Sequence, residues 1–323
     1  MDCDQIRNVL VLGWYNHNNI GDESFKLAFQ QLYPQFNMDF VDEITKPLNY
    51  DLCIIGGGDV ICERNLKMLS YLTCEKIALS VSITENSICE DLDQLSHIYV
   101  RDNKSLSVLH QNKIFNCSFL PDVVLTLQPD KEKGEELIKE LFLKENSDLY
   151  ENVYGIVVNA HLIGNRTCRF NERNKFLQFA QDLSQLIDDT NASFIFLPFS
   201  TGFPWDDRVA NGWVNNSCVY WKKNVQVYDK LSIEDTLNIV SACDKFISMR
   251  YHASIFSYIS ETPVLTLGFH DKFLSLKEDF DLSYISYYEA CLENIKRELN
   301  KIEVKDTSLI KNLKNEYQKI FRM

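Results

Sequence analysis

Short apolar runs alternate along the chain with longer segments whose apolar residues return at helical spacing. A run too short for a helix and apolar throughout marks a strand buried on both faces, so the alternation predicts βαβ units and parallel sheets. Strands are expected at 8–13, 38–42, 52–55, 76–81, 97–101 and 115–120, with helices at 22–33, 64–72 and 104–111. A second series follows, with strands at 154–159, 193–199, 225–228, 245–248 and 264–267 and helices at 172–188, 233–242 and 253–260. Between the two series the composition turns charged, with Pro129, Lys131, Glu132, Lys133, Glu135 and Glu136 in close succession.

The expected class is α/β. A Rossmann-like N-terminal domain spans 1–130, a junction 131–152, a Rossmann-like C-terminal domain 153–286, and a charged helical segment 287–323 packs back on the first domain. A length of 323 residues agrees with two cores, because single cores stop growing at about 250–300 residues. Open parallel sheets take ligands outside the carboxyl ends of their strands, so a cleft faced by both domains is the expected site.

Composition narrows the partners. A net charge of −13 argues against nucleic acid, since phosphate-tracking surfaces need clustered Lys and Arg. No apolar run is long enough to span a membrane, and the start, MDCDQIRNVLVLG, has acidic residues where a secretory signal would have basic ones. A protein of the cytoplasm, not integral to a membrane, is therefore expected. The cysteines, at 3, 53, 62, 74, 89, 117, 168, 218, 243 and 291, form no C-x-x-C pair or Cys/His cluster and read as free thiols. Asn116, Asn165, Asn191 and Asn215 head N-x-S/T triplets, read as chance matches.

Several motifs sit at strand ends. Gly13 to Asp22 is a strand end, a loop and a helix start, but not the compact G-x-G-x-x-G dinucleotide turn. Free amides at the helix start suit an anion or sugar hydroxyls; equally, this is an ordinary β-to-α connection with Asp22 as the cap. Gly56, Gly57 and Gly58 directly follow a buried strand, where glycine permits either a close ligand or positive φ. Arg101 ends a strand, with Asp102 a probable helix cap; its guanidinium either enters the cleft or pairs with a carboxylate. Trp205, Asp206 and Asp207 suit either a sugar contact or a helix cap. His17, His161 and His270 lack metal-ligand spacing, and no metal site is expected. The strongest signal is the stretch from Phe246 to Phe273, which sets Arg250, His252 and Lys272 around one strand-helix-strand unit of an otherwise acidic chain.

In order, these motifs resemble the polysaccharide pyruvyl transferase family. The likeness rests on N-x-G-D at Asn19 to Asp22, the triple glycine, V-R-D-x-x-S at Val100 to Ser105, P-D at Pro121 and Asp122, L-P-F at Leu197 to Phe199, R-x-H-A at Arg250 to Ala253, T-P-V at Thr262 to Val264, and Lys272. It implies a GT-B-like fold and transfer of pyruvate from phosphoenolpyruvate onto two hydroxyls of a saccharide, forming a ketal without metal or organic cofactor. The family's functional arginine, histidine and lysine fall on Arg101, His252 and Lys272. Arg250 matches the arginine of R-x-H-A, and Asn19, Asp22, Gly57 and Gly58 are assigned to substrate contacts. Two departures stand out: Ser80 to Thr84 replaces a glycine-rich turn after the fourth strand, and Glu261 replaces a glycine before T-P-V.

The residue types suit that chemistry. Guanidinium groups grip carboxylate or phosphate bidentately, lysine adds a point charge, and imidazolium can donate a proton near neutral pH. His252 is accordingly the candidate general acid. A nucleotide-sugar glycosyltransferase and a catalytically silent glycan-binding relative are the alternatives on the same architecture.

Overall fold

The computed structural model describes residues 7–164, 170–202 and 204–321; Cys3, Cys168 and Asn165 lie outside them. The chain divides into two compact units, one built from Met1–His17, Asp22–Leu127 and Ser308–Met323, the other from Asn18–Gly21 and Gln128–Thr307.

The first unit carries β1 (Asn8–Leu12), α1 (Ile20–Leu32, from Asp22 onward), β2 (Asn37–Val41), β3 (Leu52–Gly58), α2 (Glu63–Met68), β4 (Glu75–Val81), β5 (His97–Val100), α3 (Asn103–Gln111) and β6 (Cys117–Phe119). Its strands form one sheet in the order β2-β1-β3-β4-β5-β6, every neighbouring pair parallel. Strand β3 is buried along its whole length, as an unbroken apolar run requires when both sheet faces are covered. Leu10, Leu12, Cys53, Ile55, Ala78 and Ile98 belong to the core on this sheet.

The second unit carries α4 (Lys131–Lys144), β7 (Val153–Val157), α5 (His161–Gly164), α6 (Phe170–Asp189), β8 (Ser193–Phe196), α7 (Asp207–Asn215), β9 (Asn224–Gln226), α8 (Ile233–Ser241), β10 (Lys245–Ser248), α9 (Tyr251–Ile259), β11 (Val264–Gly268), α10 (Lys272–Phe280), β12 (Ser283–Ser286) and α11 (Leu292–Leu299). The sheet order is β12-β11-β10-β7-β8-β9, again all parallel. From β7 the chain runs outward through β8 to β9, then returns to β10 on the other flank of β7 and runs outward the opposite way. Such a reversal leaves an open crevice at the carboxyl ends of the two central strands, here β7 and β10. In the first sheet the corresponding place lies between β1 and β3.

Three features differ from the sequence pattern. The stretch 131–152 is not a bare junction: Lys131–Lys144 is a helix capped by Asp130, whose carboxylate accepts from Lys133 N at 3.0 Å, and its charged residues form the solvated face. Helices α7 and α10 and strand β12 are short elements that the pattern of apolar runs left unassigned, α7 being capped by Asp206. The segment 287–323 also splits. Helix α11 packs on α6, β11 and β12 of the second unit, whereas α12 (Leu313–Lys319) returns to the first.

That return is anchored by Tyr317, fully buried in the first unit. Its hydroxyl donates to Pro121 O at 2.6 Å, and its own carbonyl accepts from the Tyr33 hydroxyl at 2.7 Å. Phe321 meets Tyr33 and Phe36 edge-on. We expect Tyr317→Ala to cost about 3–5 kcal/mol in urea denaturation, the range for emptying a buried aromatic position. Tyr317→Phe, which loses only the hydroxyl bond, should cost about 1 kcal/mol.

Candidate active site

Strand β3 ends on Gly57 and Gly58 at φ of 82° and 87°, where only glycine is unstrained. A Cβ on Gly57 would also collide with the Phe25 ring of α1. Of the two readings open for these glycines, positive φ is displayed by both; the α1 ring packs against Gly57, while Gly58 lies beside the Asp22 carboxylate.

Arg101 follows β5 and is 2% exposed. Its Nε donates to Ser82 Oγ at 2.8 Å, Nη1 to Asp122 Oδ2 at 3.0 Å and Nη2 to Asp59 Oδ1 at 2.9 Å. Asp122 is wholly buried, whereas the Asp59 side chain is 49% exposed. Of the two readings open for Arg101, pairing with carboxylates is what the fold displays, inside the protein rather than on its surface. One ion pair thereby joins V-R-D-x-x-S to P-D. Asp102 caps α3 by accepting from Ser105 N at 2.7 Å, as its spacing predicts. The unusual Ser80 to Thr84 turn is wired into the same cluster. Ser80 is buried at φ 60° where β4 shifts register, and its Oγ accepts from Val123 N at 2.9 Å. Ser82 Oγ in turn donates to Asp102 Oδ2 at 2.8 Å.

N-x-G-D has a different local logic from the one expected. Helix α1 starts at Ile20 rather than Asp22, and the cap is Asn19, whose Oδ1 accepts from Gly21 N at 3.1 Å. The segment is held by Ile20 N donating to Phe199 O at 2.7 Å and Thr201 N donating to Asn18 O at 3.0 Å. Gly21 then lies against His252, and a Cβ there would strike the imidazole Nδ1. The glycine is required because the histidine occupies its side-chain space.

His252, buried near the start of α9, belongs to a group delivered by four adjacent strands of the second unit. After β7 come Asn159 and His161, after β8 Trp205 to Asp207, after β10 Arg250 and His252, and after β11 His270 and Lys272. The centre of the group is Asp207, 0% exposed. It forms a two-pronged pair with Arg250, Nε to Oδ2 at 3.0 Å and Nη2 to Oδ1 at 2.6 Å. The same carboxylate accepts from Phe199 N at 3.1 Å, Ser200 N at 2.9 Å and Ala160 N at 3.1 Å. The Arg250 side chain keeps 13% exposure, while Lys272 is exposed at the first position of α10. Beneath Arg250, Ser248, Ser254 and Thr266 form a buried hydroxyl chain with separations of 3.0 and 2.9 Å.

The sequence left His161 among its weaker histidines, yet here it lies amid this group. Its ring stacks on Trp205 with centroids 3.8 Å apart and planes 12° from parallel. Burial first, then the charges of Arg250, His270 and Lys272, push its pKa from 6.5 down to about 4. Asp206 is not a free sugar-binding acid. It caps α7 and holds Arg208, with Nη2 to Oδ2 at 2.6 Å. His17 stacks on Trp14 at 3.9 Å and reaches Asp42 at 3.1 Å, within the first unit. No cluster of three or more His, Cys, Asp or Glu suited to a metal ion occurs among the described residues. Nor is any described helix long and apolar enough to cross a membrane.

A family model for polysaccharide pyruvyl transferase matches residues 6–271. The chain belongs to the polysaccharide pyruvyl transferase family. Comparison with curated proteins yielded no significant match. Among solved structures, the UDP-GlcNAc 2-epimerase from Methanocaldococcus jannaschii aligns with a TM-score of 0.64 at 10% identity, over 98% of this chain and 100% of that one. The UDP-GlcNAc 2-epimerase from Neisseria meningitidis bound to UDP-GlcNAc aligns with a TM-score of 0.54 at 10% identity, over 98% and 94%. At such identity the likeness is one of fold, which is GT-B-like. In this member of the pyruvyl transferase family, R-x-H-A and the lysine after β11 fall within one basic group, and L-P-F leads into the backbone that Asp207 binds.

Two measurements probe that group. Asp207→Asn places an amide among five donors and leaves Arg250 without its counter-charge; urea denaturation should show a loss of about 3–5 kcal/mol. For His161, a folded pKa near 4 against 6.5 means that the unfolded chain binds more protons between those values. Its contribution therefore makes stability rise as pH climbs through that window and level off above it. The melting temperature of His161→Gln should depend less steeply on pH between 5 and 6.5 than that of the wild type.

Proposed function

We propose that this chain transfers pyruvate from phosphoenolpyruvate onto two hydroxyls of a saccharide, releasing phosphate. Family membership gives the reaction class, and the observation that carries the reading is the set of Arg250, His252 and Lys272 at the carboxyl ends of β10 and β11. A donor with both a carboxylate and a phosphate needs fixed cations, and an acidic chain must concentrate them locally or repel the ligand.

In this reading Arg250, locked by Asp207, and Lys272 bind the donor anion. His252 as imidazolium protonates C3 of the enol as positive charge develops at C2. A sugar hydroxyl adds to C2 and gives up its proton, so the first step is net addition of O–H across the double bond. The second hydroxyl then replaces the phosphate at C2: its oxygen forms the new C–O bond, the bond to the phosphate oxygen breaks, and phosphate leaves with the electron pair and the released proton. Neither step calls for a metal or an organic cofactor. Arg101, the residue matching the family's functional arginine, fixes Ser82, Asp59 and Asp122 around the loops of the first unit. Asn19 holds the helix start that gives His252 its place, and with Asp22, Gly57 and Gly58 it stays assigned to substrate contacts. The enzyme works in the cytoplasm, where its thiols stay reduced.

The test is phosphate release from phosphoenolpyruvate in the presence of free, nucleotide-linked and lipid-linked sugars. On an accepted sugar, His252→Ala should keep the wild-type circular dichroism spectrum and lose about 10²–10⁴-fold in kcat, the usual worth of a general acid. An undiminished rate in that variant would remove His252 from the mechanism. Phosphate release with no sugar at all would refute the transfer itself.

A further inference from the structure

Neither the sequence motifs nor the family likeness gives His161 a role, yet its setting is built. Asn159 Oδ1 accepts from His161 N at 2.9 Å, and Ala160 N shares Asp207 Oδ1 with Arg250 Nη2, so the backbone of His161 and the Arg250 guanidinium are pinned to one carboxylate. The Trp205 stack fixes the plane of the imidazole. The strand ends around it carry charge: Arg250 after β10, His270, Asp271 and Lys272 after β11, Asp206 and Asp207 after β8. The carboxylates after β8 are engaged by Arg208 and Arg250, and the charges that act on His161 are those of Arg250, His270 and Lys272.

We propose that His161 is a fourth basic member of the anion site on the second unit, neutral until a phosphate-like dianion arrives, and then a protonated hydrogen-bond donor to it. The inference rests on the donor-binding reading above and adds a residue and a proton to it. Burial first, and then the charges of Arg250, His270 and Lys272, oppose a proton on His161, and a dianion placed among them offsets that cost. Anion uptake and proton uptake are then linked, so each must strengthen the other. The stack on Trp205 keeps the ring in place in both protonation states, so binding requires no search for a rotamer.

Sulfate is the probe, because it copies the shape and charge of phosphate without titrating near neutrality. Calorimetric binding at pH 6 in two buffers of different ionisation enthalpy measures the protons taken up. The wild type should take up a substantial fraction of one proton per sulfate, and His161→Gln should lose most of that uptake and bind about tenfold more weakly. In histidine-labelled protein the His161 ring signal, identified by its loss in that variant, should titrate near 4 without sulfate and at higher pH with it. A merely structural histidine would leave proton uptake unchanged on substitution, and that result overturns the proposal. The two readings fail separately. Sulfate binding linked to His161, with no phosphoenolpyruvate turnover on any sugar, upholds the anion site and sinks the donor. Turnover with wild-type proton uptake in His161→Gln does the reverse. No binding of either anion refutes both.

Discussion

A carboxylate with no access to water must find its donors inside the protein, and Asp207 finds them on three other pieces of chain. From its place at the start of α7 it draws in the backbone beyond β7, the backbone beyond β8 and the arginine beyond β10, which all converge on its two oxygens. An acid in that position is unfavourable alone and stabilising only with every partner present. It therefore couples the geometry of the strand ends: the loops that carry His161 and Trp205 are referenced to the same atoms as Arg250. The fork of the guanidinium leaves one side for the carboxylate and fixes the orientation of the rest.

The first unit uses a related device with the charges exchanged. There the buried group is the cation, Arg101, set between Asp122 inside and Asp59 toward solvent, with Ser82 on the third nitrogen. Its effect is to tie together the loops beyond β3, β4 and β5 and the turn beyond β6. Ser80 holds a left-handed conformation in the same cluster. A serine there carries strain that a glycine would not, and the Val123 N–H that it accepts supplies compensation. The departure from the family's glycine-rich turn is thereby accommodated within the unit's own hydrogen bonding.

Charge placement gives the second unit its chemical character. The chain as a whole repels anions, yet the carboxyl ends of β7, β10 and β11 present His161, Arg250, His270 and Lys272 within electrostatic reach of one another. Burial first, and then those charges, hold the half-buried imidazole neutral. A local concentration of positive charge is also the condition under which a small anion gains most by entering.

Local pattern alone determined the two parallel sheets, because apolar runs buried on both faces and helical spacing between them are properties of neighbouring residues. It also determined the cap at Asp102 and the basic stretch from Arg250 to Lys272, which are close in sequence. The partners of Arg101 and Arg250 were settled only by tertiary structure. Asp122 and Asp207 lie at a distance along the chain, and nothing nearby in sequence distinguishes them from a surface acid or a cap. His161 shows this most clearly. It becomes part of a basic group only when the strand order brings β7 beside β10, and no spacing within its own segment encodes that adjacency.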